Sequence, residues 1–369
     1  MSSKQKLFAL LIGIDNYHSN SYKVSNLRGC VHDITMTEQL LKKYYKKLNP
    51  NILKLTNADA TYDHIIEQIE KHLIANAAPG VTLLFWFSGH GSRQDTDHMF
   101  YKLSPERKDE TLVCHDSRAQ VNGELPYNDL ADKELAVLID QAAQKGAEVV
   151  TVFDCCHSGS ITRDEEEEDT QIRMVEDRSL PQKAVGSNYL HGYYQKHHLT
   201  QVPEGRHIAL MACQKNETAK EITLEGKRRG VFSYHLQEAL RQNPGITYAQ
   251  LFNQVKNRIG HYQFNSPQTP QFDAVNLFDV SCAFLTRELV EHSKQRYEVY
   301  YSTKNAAWEV KLGAAQGLPQ PFNRVRFAIF KESTKGDKPL GYARVKSAGM
   351  AQSILLSEKL KLKTGETYW

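Results

Sequence analysis

Two short stretches carry residue types that do chemistry. One is Ser88-Gly89-His90-Gly91, directly after the apolar run Val81 to Phe87. The other is Asp154-Cys155-Cys156-His157-Ser158-Gly159, directly after the apolar run Val149 to Phe153. A thiol attacks as thiolate, and its free pKa leaves little thiolate at neutral pH, so it needs a base or an electropositive neighbour. His90 is the candidate base and Cys156 the candidate nucleophile. Glycines 89 and 91 let the backbone beside His90 come close to a bound molecule. The backbone N–H groups near Gly91 and of Cys156, with Gly159, are candidate donors to an oxyanion. Alone, His90 reads as a hydrogen-bonded structural histidine and Cys156 as an inert buried thiol. Both after matching strands read as a pair.

The elements that must position them recur along the chain. Apolar runs of strand length fall at Leu7–Ile14, Ile52–Leu55, Val81–Phe87, Val149–Phe153 and His207–Met211. Segments of helical period lie between and after them, at Arg28–Tyr45, Thr61–Ala75, Tyr127–Gln144, Val231–Gln242 and Thr247–His261. Strand and helix in alternation predict an α/β fold with a mostly parallel sheet sandwiched by helices. Unbroken apolarity from Val81 to Phe87 suits a central strand covered on both faces. Sites in such folds form at the carboxyl ends of strands, just where His90 and Cys156 fall. The pattern breaks over residues 161–206, which hold the acidic run Asp164–Asp169 and read as a flexible, solvated linker. From Leu285 short alternating segments appear, at Tyr297–Tyr301, Trp308–Leu312, Arg324–Phe330 and Ser353–Leu356, punctuated by Gly and Pro. They predict a small all-β module over 285–369 after an α/β domain over 1–284. The chain ends at Tyr368-Trp369, inside or just after a strand, so the module reads as one cut short.

Composition excludes several classes. The chain has 369 residues, of which 40% are hydrophobic and 24% charged, and this balance describes a globular protein. A net charge of +3 is too weak to argue for nucleic acid, and no basic run alternates with aromatics. The run Leu7–Ile14 is too short to span a membrane. Six cysteines (Cys30, Cys114, Cys155, Cys156, Cys213, Cys282) form no CxxC pair and suggest a reducing, cytoplasmic setting. A zinc site from Cys155, Cys156, His157 and His90 has the wrong ligand spacing. Ser158 lacks the G-x-S-x-G elbow of a serine hydrolase, and there is no Gly-rich phosphate loop.

The two motifs resemble the His and Cys motifs of caspase-like cysteine peptidases, and more closely those of the metacaspase branch, including its bacterial members. The resemblance covers roughly Lys6 to Asp279. It extends to Leu11–Ile14, to Asn26–Asp33, to Asp109-Glu110-Thr111-Leu112, to the stretch Ala212-Cys213 through Glu221, and to Gly230–Ser233. It implies a Cys/His dyad with Cys156, not Cys155, as nucleophile and His90 as base. It also implies an acidic pocket for Arg or Lys, with positions that match Cys30, Asp33, Ser88 and Asp154. The physics agrees: two carboxylates in a narrow pocket pair with a guanidinium or ammonium and reject other side chains. Read alone, Asp33 is an acidic residue suited to a first helical turn. Substrates are then proteins or peptides with basic residues, and Arg163, Arg173, Arg178 and Lys183 in the linker are candidates for self-cleavage, foremost Arg173 and Arg178. No organic cofactor is implied. The family's frequent use of Ca2+ directs attention to Asp95, Asp97, Asp109, Glu110 and the run Asp164–Asp169, although no EF-hand spacing occurs. Cys213 reads as core packing. The C-terminal module reads equally as a docking element for a protein partner and as a packing cap. The rival reading is a caspase-fold regulatory scaffold with little or no peptidase activity, against which stand the dyad and all four pocket residue types.

Overall fold

The computed structural model describes residues 5–120, 129–156, 169–177, 189–276, 278–286, 297–313, 318, 325–331, 339–349, 352–357, 360, 362–366 and 368. The chain divides into two units, Met1–Leu289 and Val290–Trp369. The first unit begins β1 (Lys6–Gly13), α1 (Cys30–Tyr44), β2 (Asn51–Thr56), α2 (Tyr62–Gln68), β3 (Val81–Ser88), β4 (Gly91–Asp95), β5 (Lys108–Val113), β6 (Asp129–Ala131) and α3 (Asp132–Gln144). It continues β7 (Glu148–Asp154), β8 (Gln171–Ile172), α4 (Tyr193–Lys196), β9 (His207–Met211), β10 (Lys220–Leu224), β11 (Lys227–Gly230), α5 (Val231–Gln242), α6 (Tyr248–Ile259) and β12 (Gln271–Val275).

Six strands form the main sheet in the order β12-β9-β7-β3-β1-β2. All neighbours run parallel except the edge strand β12, which is antiparallel to β9. From β1 the chain steps outward to β2 on one side and back to β3 on the other. That reversal opens a crevice at the carboxyl ends of β1 and β3.

Strand alternation decides which residues face which helices. Ala9 and Leu11 of β1, Leu84 and Trp86 of β3, and Val150 and Val152 of β7 join α1, α5 and α6 in one core. Their neighbours Leu10, Ile12, Leu83, Phe85 and Val149 join α2 and α3 in the other. With apolar surface covered on both faces, a cut such as Leu84→Ala costs about 2–5 kcal/mol. The parity that sends Trp86 and Val152 toward α1 also governs Ser88, Asp154 and Cys156. Helix α1 lies close on β1: a Cβ at Gly13 would come within 2.8 Å of the Cys30 carbonyl oxygen. Its first turn is held by Asp15, which accepts from the N–H of Cys30 at 2.7 Å and of Val31 at 3.2 Å.

Three sequence expectations change. The helix expected over Tyr127–Gln144 starts at Asp132, because Asp129–Ala131 pair with Thr111–Val113 as a strand. The segment Thr61–Ala75 is α2 followed by a wider turn, Ile69–Leu73, and a tighter one, Ile74–Asn76. The segment 161–206, expected to be a solvated linker, is exposed at residues 195–198, 200, 201 and 204 but buried at others. Ile172, Arg173, Met174, Val175, Tyr189 and Tyr194 are buried, and Gln171–Ile172 pair with β10. Two small antiparallel sheets, β4-β5-β6 and β11-β10-β8, complete the unit. Their short strands are rich in charge, and tertiary pairing rather than an apolar pattern buries them.

In the second unit β13 (Val299–Ser302), β14 (Ala307–Val310), β15 (Arg326–Ile329), β16 (Gly341–Ala348) and β17 (Ser353–Ser357) form an antiparallel sheet in the order β13-β14-β17-β16-β15. Val299, Val310, Ile329, Ala343, Val345 and Leu355 build its core. Strand β16, not among the segments expected from the sequence, alternates: Ala343 and Val345 are buried while Tyr342, Arg344 and Lys346 are exposed.

Candidate active site

Strands β3 and β7 run side by side with Phe87 opposite Phe153 and Ser88 opposite Asp154. His90 and Cys156 each follow two residues later, both fully buried. The His90 Nε2 lies 2.9 Å from the carbonyl oxygen of Ser25. A carbonyl only accepts, so Nε2 carries the ring proton and Nδ1 presents a lone pair. Nδ1 is buried and has no hydrogen-bond partner among the described residues. The His90 N–H donates to the Tyr17 hydroxyl at 2.7 Å, and the two rings sit 5.2 Å apart. Burial lowers the His90 pKa to about 4, the Ser25 carbonyl opposes this, and the charges of Arg173 and Arg118 add to it. At neutral pH the imidazole is an uncharged acceptor.

The twin cysteines face opposite ways. Cys156 belongs to the core on the α1 face and Cys155 to the core on the α2 face. Burial first, then the neighbouring Cys156 and Asp154, push the Cys155 thiol well up, which makes it inert. Cys213 packs in the same core as Cys156, and contact with that thiol together with burial pushes its own pKa up. All six cysteines are buried free thiols.

Cys30, Asp33, Ser88 and Asp154 come together around one side chain, Arg173, which is fully buried. Its Nη2 meets Asp33 Oδ2 at 2.8 Å, and its Nη1 meets Asp154 Oδ2 at 3.0 Å and the Ser88 hydroxyl at 2.7 Å. Burial works against the Arg173 charge, but Cys30, Asp154, Asp33 and Glu221 more than offset it and raise its pKa. Burial raises the Asp154 carboxyl and Arg173 opposes the rise. Cys30 lies close enough for Arg173 to oppose the rise that burial imposes on its thiol.

Sequence reasoning missed several members of this pocket. Glu221 adds a third carboxylate, 3.2 Å from Arg173 Nη2. Arg229 Nε holds the other oxygen of Asp33 at 2.8 Å. The Gly230 N–H donates to Asp33 at 3.0 Å and the Ser233 N–H to Asp154 at 2.9 Å. A Cβ at Gly230 would collide with the Asp154 carboxylate and the Arg173 guanidinium, so only glycine fits this wall. Glu221 and Gly230–Ser233 fall in stretches that carry the family resemblance, but no local signal ties them to Asp33.

The backbone of Arg173 is held as firmly as its side chain. Its carbonyl oxygen accepts from the N–H groups of Gly91 at 3.1 Å and Cys156 at 3.3 Å, and the Cys156 Sγ stands 3.3 Å from the same oxygen. Its N–H donates to the Ala219 carbonyl at 2.9 Å. Residues Gln171–Ile172 pair antiparallel with Lys220–Glu221, and the Val175 N–H donates to the Gly91 carbonyl at 2.9 Å. The segment therefore threads the crevice as an extended peptide, with the thiol against the carbonyl of its basic residue. Arg163, Arg178, Lys183 and Gly159 lie outside the described residues.

Among the described residues, three of the carboxylates considered for Ca2+ are engaged elsewhere. Asp95 is paired with Lys108 at 2.7 Å and Asp109 with Lys133 at 2.8 Å, while Asp97 caps the Met99 N–H at 2.8 Å. No group of three or more His, Cys, Asp or Glu among the described residues is placed to hold a metal. Asp164–Glu168 lie outside those residues.

The caspase domain family matches residues 6–280. The chain belongs to this family. Metacaspase-1 of Pyricularia oryzae is 25% identical over 293 residues, covering 70% of this chain and 70% of its own length. Metacaspase-1 of Schizosaccharomyces pombe is 23% identical over 314 residues, covering 75% and 69%. Among solved structures, protein GSU0716 from Geobacter sulfurreducens matches with a TM-score of 0.51 and 20% identity over 74% of this chain and 95% of that one, a likeness of fold. This caspase-domain protein is a cysteine-type peptidase, a hydrolase that acts on proteins. No helix among the peptidase's described residues is long and apolar enough to cross a membrane.

Proposed function

We propose that the peptidase cleaves after Arg or Lys with a Cys156/His90 dyad, and that its first substrate is its own Arg173–Met174 bond. One observation carries the reading: the Arg173 guanidinium lies among Asp33, Asp154 and Glu221 while its carbonyl oxygen faces the Gly91 and Cys156 N–H groups and the Cys156 thiol. The Cys156 thiol gives its proton to His90 Nδ1 as sulfur attacks the Arg173 carbonyl carbon. The two N–H groups hold the oxyanion that forms. His90 then protonates the Met174 nitrogen, the C–N bond breaks, and water hydrolyses the thioester. Until the cut, residues 171–177 close the cleft to other substrates. Cuts after Arg163, Arg178 or Lys183 follow from the same preference once the cleft is free.

An acidic side chain in this pocket would face three carboxylates, and the discrimination against it is on the order of 10⁴ or more. The test is a panel of fluorogenic peptides that differ only in the residue before the leaving group. Arg and Lys should be cleaved and Asp ignored; a preference for Asp overturns the assignment. Mass spectrometry of the incubated chain should find a fragment that begins at Met174.

A further inference from the structure

The chain that follows the basic residue is also gripped. Ser92 Oγ stands 3.0 Å from the carbonyl oxygens of both Val175 and Glu176. Arg118 Nη1 donates to the Glu176 carbonyl at 2.9 Å, while its Nη2 meets the Ser92 hydroxyl at 2.7 Å and Asp129 at 3.1 Å. Arg118, Ser92 and Asp129 are all buried, so the hook is built into the fold and does not depend on surface side chains. One residue further on, Arg93 clasps Asp177 with two nitrogens, Nε at 3.2 Å and Nη2 at 3.1 Å. Arg93 is 16% exposed and Asp177 25%, so the pair is partly shielded from solvent. By contrast Lys23 and Glu176 are 53% and 68% exposed, which leaves that ion pair little weight.

We infer that the cleft extends four residues past the cut, and that Arg93 selects a carboxylate at the fourth of them. The inference rests on the peptidase reading above and names its substrate class: an extended segment with a basic residue, an apolar second residue beyond the cut as at Val175, and Asp or Glu two positions later. Ser92 and Arg118 read only backbone carbonyls and so fix register for any sequence. Arg93 reads a side chain. When a substrate replaces the internal segment, Arg93 keeps, among the described residues, the 3.4 Å contact to Glu106, which is shared with Lys215 at 3.0 Å. A bidentate partner is still to be gained.

Internally quenched peptides with the sequence of residues 171–176 followed by Asp, Asn or Lys provide the test, using the full self-processed chain. The Asp peptide should exceed the Lys peptide by roughly tenfold in kcat/KM. Arg93→Glu should reverse the order, and Arg93→Gln should flatten it if the reversal variant does not fold. Equal rates for Asp and Lys, with cleavage after Arg, overturn the subsite and leave the peptidase reading intact. The same peptides, labelled and titrated by fluorescence anisotropy into a Cys156→Ala chain in which residues 171–177 are replaced by a Gly-Ser run so that the cleft is vacant, decide the matter without turnover. If nothing is cleaved but the Asp peptide binds about tenfold tighter, the subsite stands and the specificity reading falls; equal binding overturns the subsite.

Discussion

Arg173→Gln separates the role of the side chain from that of the segment. Glutamine keeps the length and loses the charge, so Asp33, Asp154 and Glu221 no longer share a cation that now meets them at 2.8, 3.0 and 3.2 Å. Removing one partner from a buried ion network costs about 3–5 kcal/mol. Arg229 stays on Asp33 at 2.8 Å and Arg228 lies 3.7 Å from Glu221, so the lower end, about 3 kcal/mol, applies. In a Cys156→Ala background, where neither chain can be cut, a unit of this size should lose about 5 °C in melting temperature. In the active chain the same energy appears in the reaction, because the guanidinium no longer anchors the carbonyl at the thiol. Each 1.36 kcal/mol is tenfold, so the fragment that begins at Met174 should form at least about 10²-fold more slowly. Arg173→Lys, which retains the charge but not the fork, should lose roughly tenfold or less. Intact-mass spectrometry over a time course reads both. If Arg173→Gln yields that fragment at the wild-type rate, or melts within about 1 °C of its Cys156→Ala parent, the pocket does not recognise Arg173 and the reasoning fails.

Other outcomes follow from the same geometry. Cys156→Ala should abolish peptide cleavage, by more than about 10³-fold, while Cys155→Ala keeps it within a few-fold; full activity in the first would reverse the choice of nucleophile. Because burial holds His90 at about 4 when folded, against about 6.5 unfolded, the unfolded chain binds the proton that the folded chain refuses. Its contribution to stability is complete above 6.5 and is lost as pH falls from 6.5 toward 4. By pH 5 the loss is about 2 kcal/mol, so urea midpoints at pH 7.5 and 5 should differ less in His90→Gln than in its parent, and equal differences would count against a buried neutral imidazole. We propose that cleavage needs no Ca2+, since Lys108 and Lys133 already neutralise Asp95 and Asp109. Initial rates should survive excess chelator within about twofold, and a tenfold or larger fall restored by Ca2+ would refute this.

The amino-acid sequence by itself determined the sheet and the direction of its reacting groups. Continuous apolar runs of strand length specify β1, β3 and β7, and period-2 alternation assigns Trp86 and Val152 to one face. Counting on by twos from those residues puts Ser88, Asp154 and Cys156 on that same face, and Cys155 on the other. Such information is local, because side-chain parity along a strand is a property of the backbone. The α/β pattern was legible for the same reason, and the helix expected from Tyr127 was too long because pairing with β5 overrode propensity. What surrounds Arg173 was legible only through the family resemblance, which named Cys30, Asp33, Ser88 and Asp154 but gave Glu221 and Arg229 no place in the pocket. Its partners come from α1, β3, β7 and β10, segments far apart in sequence, and nothing in a stretch such as Lys220-Glu221 marks a carboxylate for burial. A charged residue reads as surface until a counter-charge is brought to it, and only the folded chain brings it. The segment that looked like solvated linker is therefore buried at Arg173 and anchored at Glu176 and Asp177. The tertiary structure alone decided that the basic residue in the pocket belongs to the peptidase itself.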